Sequence, residues 1–448
     1  MVDVTKGCRV AARAAVAAVV AVAAVVAAAP GGAAAAEATA LVIEGGTVHP
    51  VSGPAFVGRV VVVDGLIAAA GPDAAAPAGA TVLDAAGLHV YPGLFDAMSQ
   101  LGLLEVGAVS ATDDQAEMGL YNPHLRAATA IHPASEVIPV TRANGVTHSV
   151  VAPLTAGDGV IAGQAALVNL AGWTVEEMAL DPAIAMVIAW PEIETRSFDF
   201  STFSVRETPF NEAKEKAEER RDELRDWFQA ARQYARAADG GRAARDLKLE
   251  ALAGVLDGGQ RVVILADAER DIEAAVAFAE AEGLDLVLGG GRDAWKVKDM
   301  LAGKEIPVVL GLTQSLPAEE DDPYDRPFRT AGELVAAGVK IAFASGAGGG
   351  FGPGGPHQSR TTPYESAMAV AYGLDPDAAL AALTLYPAEI FGVAGSLGTI
   401  EAGKIANLIV TDGSPLAITT QVRHLIIAGQ EVSTANRHRD LYERYRAR

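Results

Sequence analysis

A mixed α/β chain with a parallel barrel at its centre is the fold class the sequence predicts, on three observations. Strand-like apolar runs alternate with helix-like stretches through residues 261–385, the order a parallel barrel requires. Short β-rich segments divided by turns occupy residues 41–84. Next comes the stretch Val90-Tyr91-Pro92-Gly93-Leu94-Phe95-Asp96-Ala97-Met98-Ser99-Gln100-Leu101. It reads as the entry to a short buried strand, with Val90, Leu94 and Phe95 as its apolar body and Pro92-Gly93 as punctuation.

Length and composition bound the rest. The 448 residues are 50% apolar and 20% charged, enough for a large core. The formal net charge is −21; residues 1–36 hold Lys6, Arg9 and Arg13 against Asp3, so the chain without them stands at −23. Such an acidic surface argues against nucleic acid or an anionic membrane as partner, because phosphate binding needs clustered Lys and Arg. The basic start precedes an Ala/Val run from Ala14 to Ala29, then Pro30-Gly31-Gly32 and small residues to Ala36. This reads as a signal peptide over 1–36, and so as an exported, periplasmic or secreted protein. The alternative is a retained anchor, for which the run is short against a span of about 20 residues. Cys8 lies in this segment and is the sole cysteine, so the mature chain is expected to have no disulfide and no thiolate site.

In chain order, Leu41-Val42-Ile43, Arg59 to Val63 and Leu66-Ile67 read as strands, with Asp64-Gly65 as a hairpin turn. Thr81 to Asp84 follows. Ser135 to Asn144 is helix-like, Val146 to Ala152 a strand, Gly163 to Leu170 a small β-element, and Ala185 to Ala189 an apolar run ending at Trp190-Pro191. Residues 211–256 are a charged helical region in which Lys214/Glu218 and Glu218/Arg221 can pair on a wet face. Strands are then expected at 261–266, 284–288, 306–310 and 340–344. Helices are expected at 269–282 (closed by Gly283), 293–301, 331–337, 362–372 and 376–385.

The Pro92-Gly93-Leu94-Phe95-Asp96 frame resembles the first barrel strand of the amidohydrolase superfamily, x-P-G-[LI]-[IF]-D-x-H-x-H. A second likeness lies in Gly398-Thr399-Ile400-Glu401-Ala402-Gly403-Lys404-Ile405-Ala406-Asn407-Leu408-Ile409-Val410-Thr411-Asp412-Gly413. It is similar to the family's returning sandwich signature, with Asn407 replacing the usual Asp. The resemblance covers residues 40–430 and implies a (β/α)8 TIM barrel at 91–395. It also implies a composite β-sandwich from 37–90 and 396–432, with 433–448 as a tail. It is closest to the imidazolonepropionase-like branch, which implies hydrolysis of non-peptide C–N bonds, cyclic amides or small peptides with a divalent metal such as zinc.

The resemblance also locates the family's metal ligands, and each is replaced. Met98 and Gln100 stand for the two histidines of the first strand, Leu265 and Gly290 for those of the fifth and sixth, and Gly346 for the aspartate of the last. The run before Trp190 lacks the lysine that some relatives carboxylate. A thioether and a neutral amide are poor ligands for zinc, so no metal cofactor is expected.

No two of the eight histidines stand in an H-x-H or H-x-x-x-H spacing, and His124, His132 and His357 fall in loops expected near the barrel mouth. Gly346 to Gly355 is glycine-rich, and reads as a lid-like loop rather than a dinucleotide motif, because Pro353 and Pro356 interrupt it. Two function classes stay open. One is a metal-free, catalytically impaired relative, a pseudoenzyme acting as a binding or partner subunit. Its expected pocket is Met98, Gln100, Gln164, Leu265, Gly290, Ser345 and Gly346. Its ligand would be a small amide or peptide, and its partner a metal-bearing paralogue or a second copy, with no nucleic acid. The other is an active C–N hydrolase using Gln100, Asp267 or His357.

Overall fold

The computed structural model describes residues 40–199, 204–241, 243–347 and 355–447. The expected signal peptide at 1–36 and the middle of the glycine-rich stretch lie outside the described residues.

Eight strands form the barrel sheet: β1 (Leu94–Ser99), β2 (Val146–Val151), β3 (Ile161–Asn169), β4 (Ala179–Ala189), β5 (Arg261–Ala266), β6 (Leu286–Gly290), β7 (Val308–Leu310) and β8 (Ile341–Phe343). They neighbour one another in sequence order. The expected parallel alternation holds for seven of them, but β3 runs antiparallel to both β2 and β4. The "small β-element" at 163–170 is thus a nine-residue barrel strand, buried throughout. Antiparallel neighbours need no helical crossover, and between β3 and β4 the only helix is the four-residue Val175–Met178. Closure between β1 and β8 is completed by other parts of the chain. Gly346 N donates to Met98 O (2.8 Å), and Phe95 N donates to Leu383 O (2.8 Å).

Inward residues of the strands, including Phe95, Met98, Val150, Leu167, Val187, Val263, Val287 and Val309, make one apolar interior cluster. Outward residues such as Ile188, Ile264 and Leu288 pack with the helices in another, as alternation along a strand dictates. The charged region at 211–256 is two helices, α1 (Phe210–Asp239) and α2 (Leu247–Leu256). Lys214 pairs with Glu218 at 3.6 Å. Arg221, expected to pair with Glu218, instead reaches the buried Asp271 at 2.7 Å and Pro191 O at 3.0 Å. Asp271 lies in α3 (Glu269–Glu282), which ends at Gly283 with φ +67°.

The two chain ends share a second eight-stranded sheet. His89–Pro92 pairs antiparallel with Leu408–Thr411, Pro92 facing Leu408 and Val90 facing Val410. The stretch read as a single strand from Val90 is therefore two. Val90 belongs to the composite-sheet core, and Leu94 onward to the barrel. Gly93 is the crossing point. A Cβ there would stand 2.0 Å from Thr147 Oγ1 on β2, so only glycine lets the chain pass. Asn407 fastens the crossing: it donates to Asn169 Oδ1 (2.7 Å) and accepts from Ala428 N (2.8 Å).

Candidate functional site

Barrel chemistry belongs at the C-terminal ends of the strands. There Met98 is 1% exposed and packs into the interior cluster. Leu265 joins that cluster from its rim and leans over Gly289, where a Cβ would lie 2.6 Å from Leu265 Cδ2. Gln100 is 2% exposed, and its Nε2 donates to Gly346 O at 3.3 Å. A Cβ on Gly346 would sit 2.5 Å from Gln100 Oε1. One on Gly290, whose φ is +85°, would sit 2.7 Å from Asp267 Oδ1. The positions expected from sequence to have lost ligands are therefore packed in, two of them against each other. Gln100 occupies the space of a side chain at 346, and Asp267 the space of one at 290.

This donor set does not fit a zinc centre, which needs three or four imidazole, thiolate or carboxylate ligands. Among the described residues no group of three or more His, Cys, Asp or Glu is placed to hold a metal. His148 on β2 is buried, with Nδ1 2.7 Å from Thr147 Oγ1 and its ring 4.4 Å from Phe95. Burial depresses its pKa to about 3, so it stays neutral. His132 and His357 are exposed.

A cavity of about 800 Å³ opens at the same end of the barrel. Gln100, Asp267, Gly290, Ser345 and Gly346 line it, with Leu310, Leu312, Phe328 and Met368 as an apolar wall and Gln115, Thr313 and Gln314 as neutral polar groups. Of the residues expected from sequence, Met98, Leu265, Gln164 and His357 do not line this cavity. The amide of Gln164 is turned to Pro123 O (2.9 Å).

Three carboxylates shape the site. Asp96, wholly buried, accepts from Ser345 N (3.0 Å), Ser345 Oγ (2.6 Å), Ser359 Oγ and Met98 N (3.4 Å). Burial pushes its pKa up to about 6, although these hydrogen bonds pull the other way. It ties β1 to Ser345, two residues past β8, and to the 3-10 helix Pro356–Thr361, so it braces both flanks of the glycine-rich segment. Glu365, in the helix Thr362–Ala371, accepts from Thr313 N, Thr313 Oγ1 (both 2.8 Å) and Gln314 N (2.9 Å). That fixes the loop after β7 as a cavity wall. Glu192, three residues beyond β4, receives Asp267 N at 3.4 Å. As a residue it is exposed, with its carboxyl packed closer to the protein, and it does not line the cavity. Burial, then the charges of Asp267 and Asp271, raise it to about 7. Asp96 stood in the strand motif without a role; Glu192 and Glu365 carried no local sequence signal.

The barrel thus bears a composite sheet and a ligand-sized cavity at its strand ends, the face where barrel sites lie. The family model described as "Amidohydrolase family" matches residues 325–432. The structure of an amidohydrolase from Thermotoga maritima MSB8 is similar at 26% identity and TM-score 0.75, over 88% of this chain and 99% of that one. A prolidase complexed with N-methylphosphonate-L-proline shares the fold at 18% identity and TM-score 0.53, over 88% and 100%. Phenylurea hydrolase B does so at 15% and 0.53, over 88% and 97%. No curated protein matches in sequence. The family-model match at residues 325–432 and the 26% likeness to the Thermotoga maritima amidohydrolase support a place in the amidohydrolase superfamily.

Proposed function

We propose that this chain is an exported amidohydrolase-superfamily protein that has lost metal-dependent hydrolysis and works as a metal-free binding or partner subunit for a small amide or peptide. One observation carries the reading: the residues at the ligand positions pack against one another. Met98 and Leu265 belong to the apolar interior, and the Gln100 amide fills the space above Gly346. A metal in this family's chemistry lowers the pKa of bound water from about 15.7 to about 7, and these side chains offer it no ligands. The cavity beside them, walled by leucines and neutral amides with Asp267 and Arg292 as its charged lining, suits a ligand held by burial and a few polar contacts. Export rests on the basic start and apolar run of residues 1–36. A metal-bearing paralogue or a second copy of this chain would supply the partner.

Thermal-shift screening of the chain lacking residues 1–36 against cyclic amides, dipeptides and N-acyl amino acids tests the reading. A ligand at about 100 times its dissociation constant adds about 2.7 kcal/mol of stability, and Gln100→Ala should abolish the shift. No shift from any of the three classes would overturn the ligand assignment.

A second reading, the active hydrolase, draws on Asp267 and Glu192. They sit at the ends of adjacent strands, and Glu192 is raised to about 7, a value suited to a general acid at neutral pH with Asp267 as base. Product release from the same compounds, lost in both Asp267→Asn and Glu192→Gln, would establish it; absence of turnover would exclude it.

A further inference from the structure

The composite sheet carries an imidazole pair that the barrel account does not use. His49 follows the strand Ala40–Val48, and His89 opens His89–Pro92, which runs parallel to it. The register sets Thr47 beside His89 and Val48 beside Val90, and His49 N continues the ladder to Val90 O at 2.9 Å. Alternation then places His89, Tyr91 and His49 on one face. His49 Nε2 and His89 Nδ1 are 3.0 Å apart. Tyr91 stacks on the His49 ring, centroids 4.3 Å apart and planes 10° apart, and holds it in place. Both imidazoles are half-buried, so the pair is open to solution.

We propose that His49 and His89 form a two-imidazole site for a divalent transition-metal ion of tetragonal preference, copper(II) or nickel(II) ahead of zinc. The geometry selects the class. Two imidazole nitrogens about 2.0–2.1 Å from one metal stand about 2.9 Å apart at a right angle and about 3.3 Å apart at a tetrahedral angle. The observed 3.0 Å is the length of the hydrogen bond between the rings, and it already brings the two nitrogens as close together as the right-angled arrangement of tetragonal copper and nickel requires. Binding breaks the N–H···N hydrogen bond: the donor ring takes its other tautomer, its proton passing through solvent to the other ring nitrogen, and each ring turns by about 45° so that both lone pairs converge on the metal.

One further feature favours a cation here: the negative charge of Asp377, from the helix Pro376–Ala381, acts on His49. Among the described residues no third His, Cys, Asp or Glu completes the set, so a bound ion would keep water at its other positions.

The site is independent of the barrel reading, and its test is too. Untagged chain lacking residues 1–36, stripped with chelator, is titrated with copper(II) by calorimetry and followed by electron paramagnetic resonance. One equivalent should bind, with hyperfine coupling from two nitrogens. His49→Ala and His89→Ala should each weaken it at least tenfold, while His424→Ala and His438→Ala leave it unchanged. His89→Asn, which keeps a polar side chain in the sheet, replaces the alanine variant if that does not fold, with the same loss expected. No stoichiometric copper, a spectrum without two equatorial nitrogens, or wild-type affinity in both pair variants would each overturn the proposal.

Discussion

Replacing Asp96 by asparagine should change how stability depends on pH. The carboxyl is fully buried, and its pKa rises from an ordinary 3.8 to about 6, chiefly through burial. A raised folded-state value means that the folded chain keeps a proton which the unfolded chain releases. Stability from this group is therefore complete below about pH 4, is lost as pH rises through about 6, and is flat above. A shift of about two units corresponds to about 3 kcal/mol across the whole window. The isoelectric point near 4.8 makes the acid half of that window prone to precipitation, so the useful range is about pH 5.5 to 7.5, which retains about 0.8 kcal/mol. Asparagine keeps an acceptor for Ser345 N, and its amide can donate to the hydroxyls of Ser345 and Ser359, which rotate to accept. Urea unfolding of both proteins at each pH is the assay. The variant should gain about 0.8 kcal/mol on the wild type as pH rises; the titration of Glu192 is common to both and cancels. A difference that stays constant, or moves in the other direction, would refute the assignment of a strained buried carboxylate.

The crossing from composite sheet to barrel makes two further predictions. Gly93→Ala drives a Cβ to 2.0 Å from Thr147 Oγ1 in a buried strand. It should cost about 3 kcal/mol, the upper end of the overpacking range; Thr147→Gly in the same chain should recover part of it by denaturant titration, and an undisturbed Gly93→Ala protein would contradict the crossing. Ending the chain after Leu397 removes Leu408–Thr411 and leaves His89–Pro92 as an open edge. Aggregation or loss of cooperative melting is expected, and a soluble truncation melting at the parent temperature would contradict the shared sheet.

Much of this architecture was legible in the residues, for identifiable reasons. The strand–helix rhythm of 261–385 is carried by local periodicity, and Gly283 marks a helix end because its φ of +67° suits glycine. The direction of β3 was not legible: a strand buried on both faces is a run of apolar residues, and such a run has no polarity. The split at Gly93 was hidden because both halves are apolar and buried, and the reason for the glycine, Thr147, lies on another strand. The close packing of Gln100 on Gly346 and of Asp267 on Gly290 was not legible. Gln100 meets Gly346 across 246 residues of sequence, and Asp96 meets Ser345 across 249. Gln164 and His357 fell away for the same reason, since their distance from the cavity is set by packing rather than by spacing.

The central claim is that the barrel mouth has been rebuilt so that it holds no metal. Elemental analysis of the untagged chain without residues 1–36 tests it most directly, in a background carrying His49→Ala and His89→Ala so that the composite-sheet pair cannot contribute. After loading with zinc, manganese or iron and extensive dialysis, the account predicts well under one metal per chain. One tightly held equivalent in that background would contradict it and return the barrel to the metal-dependent hydrolases.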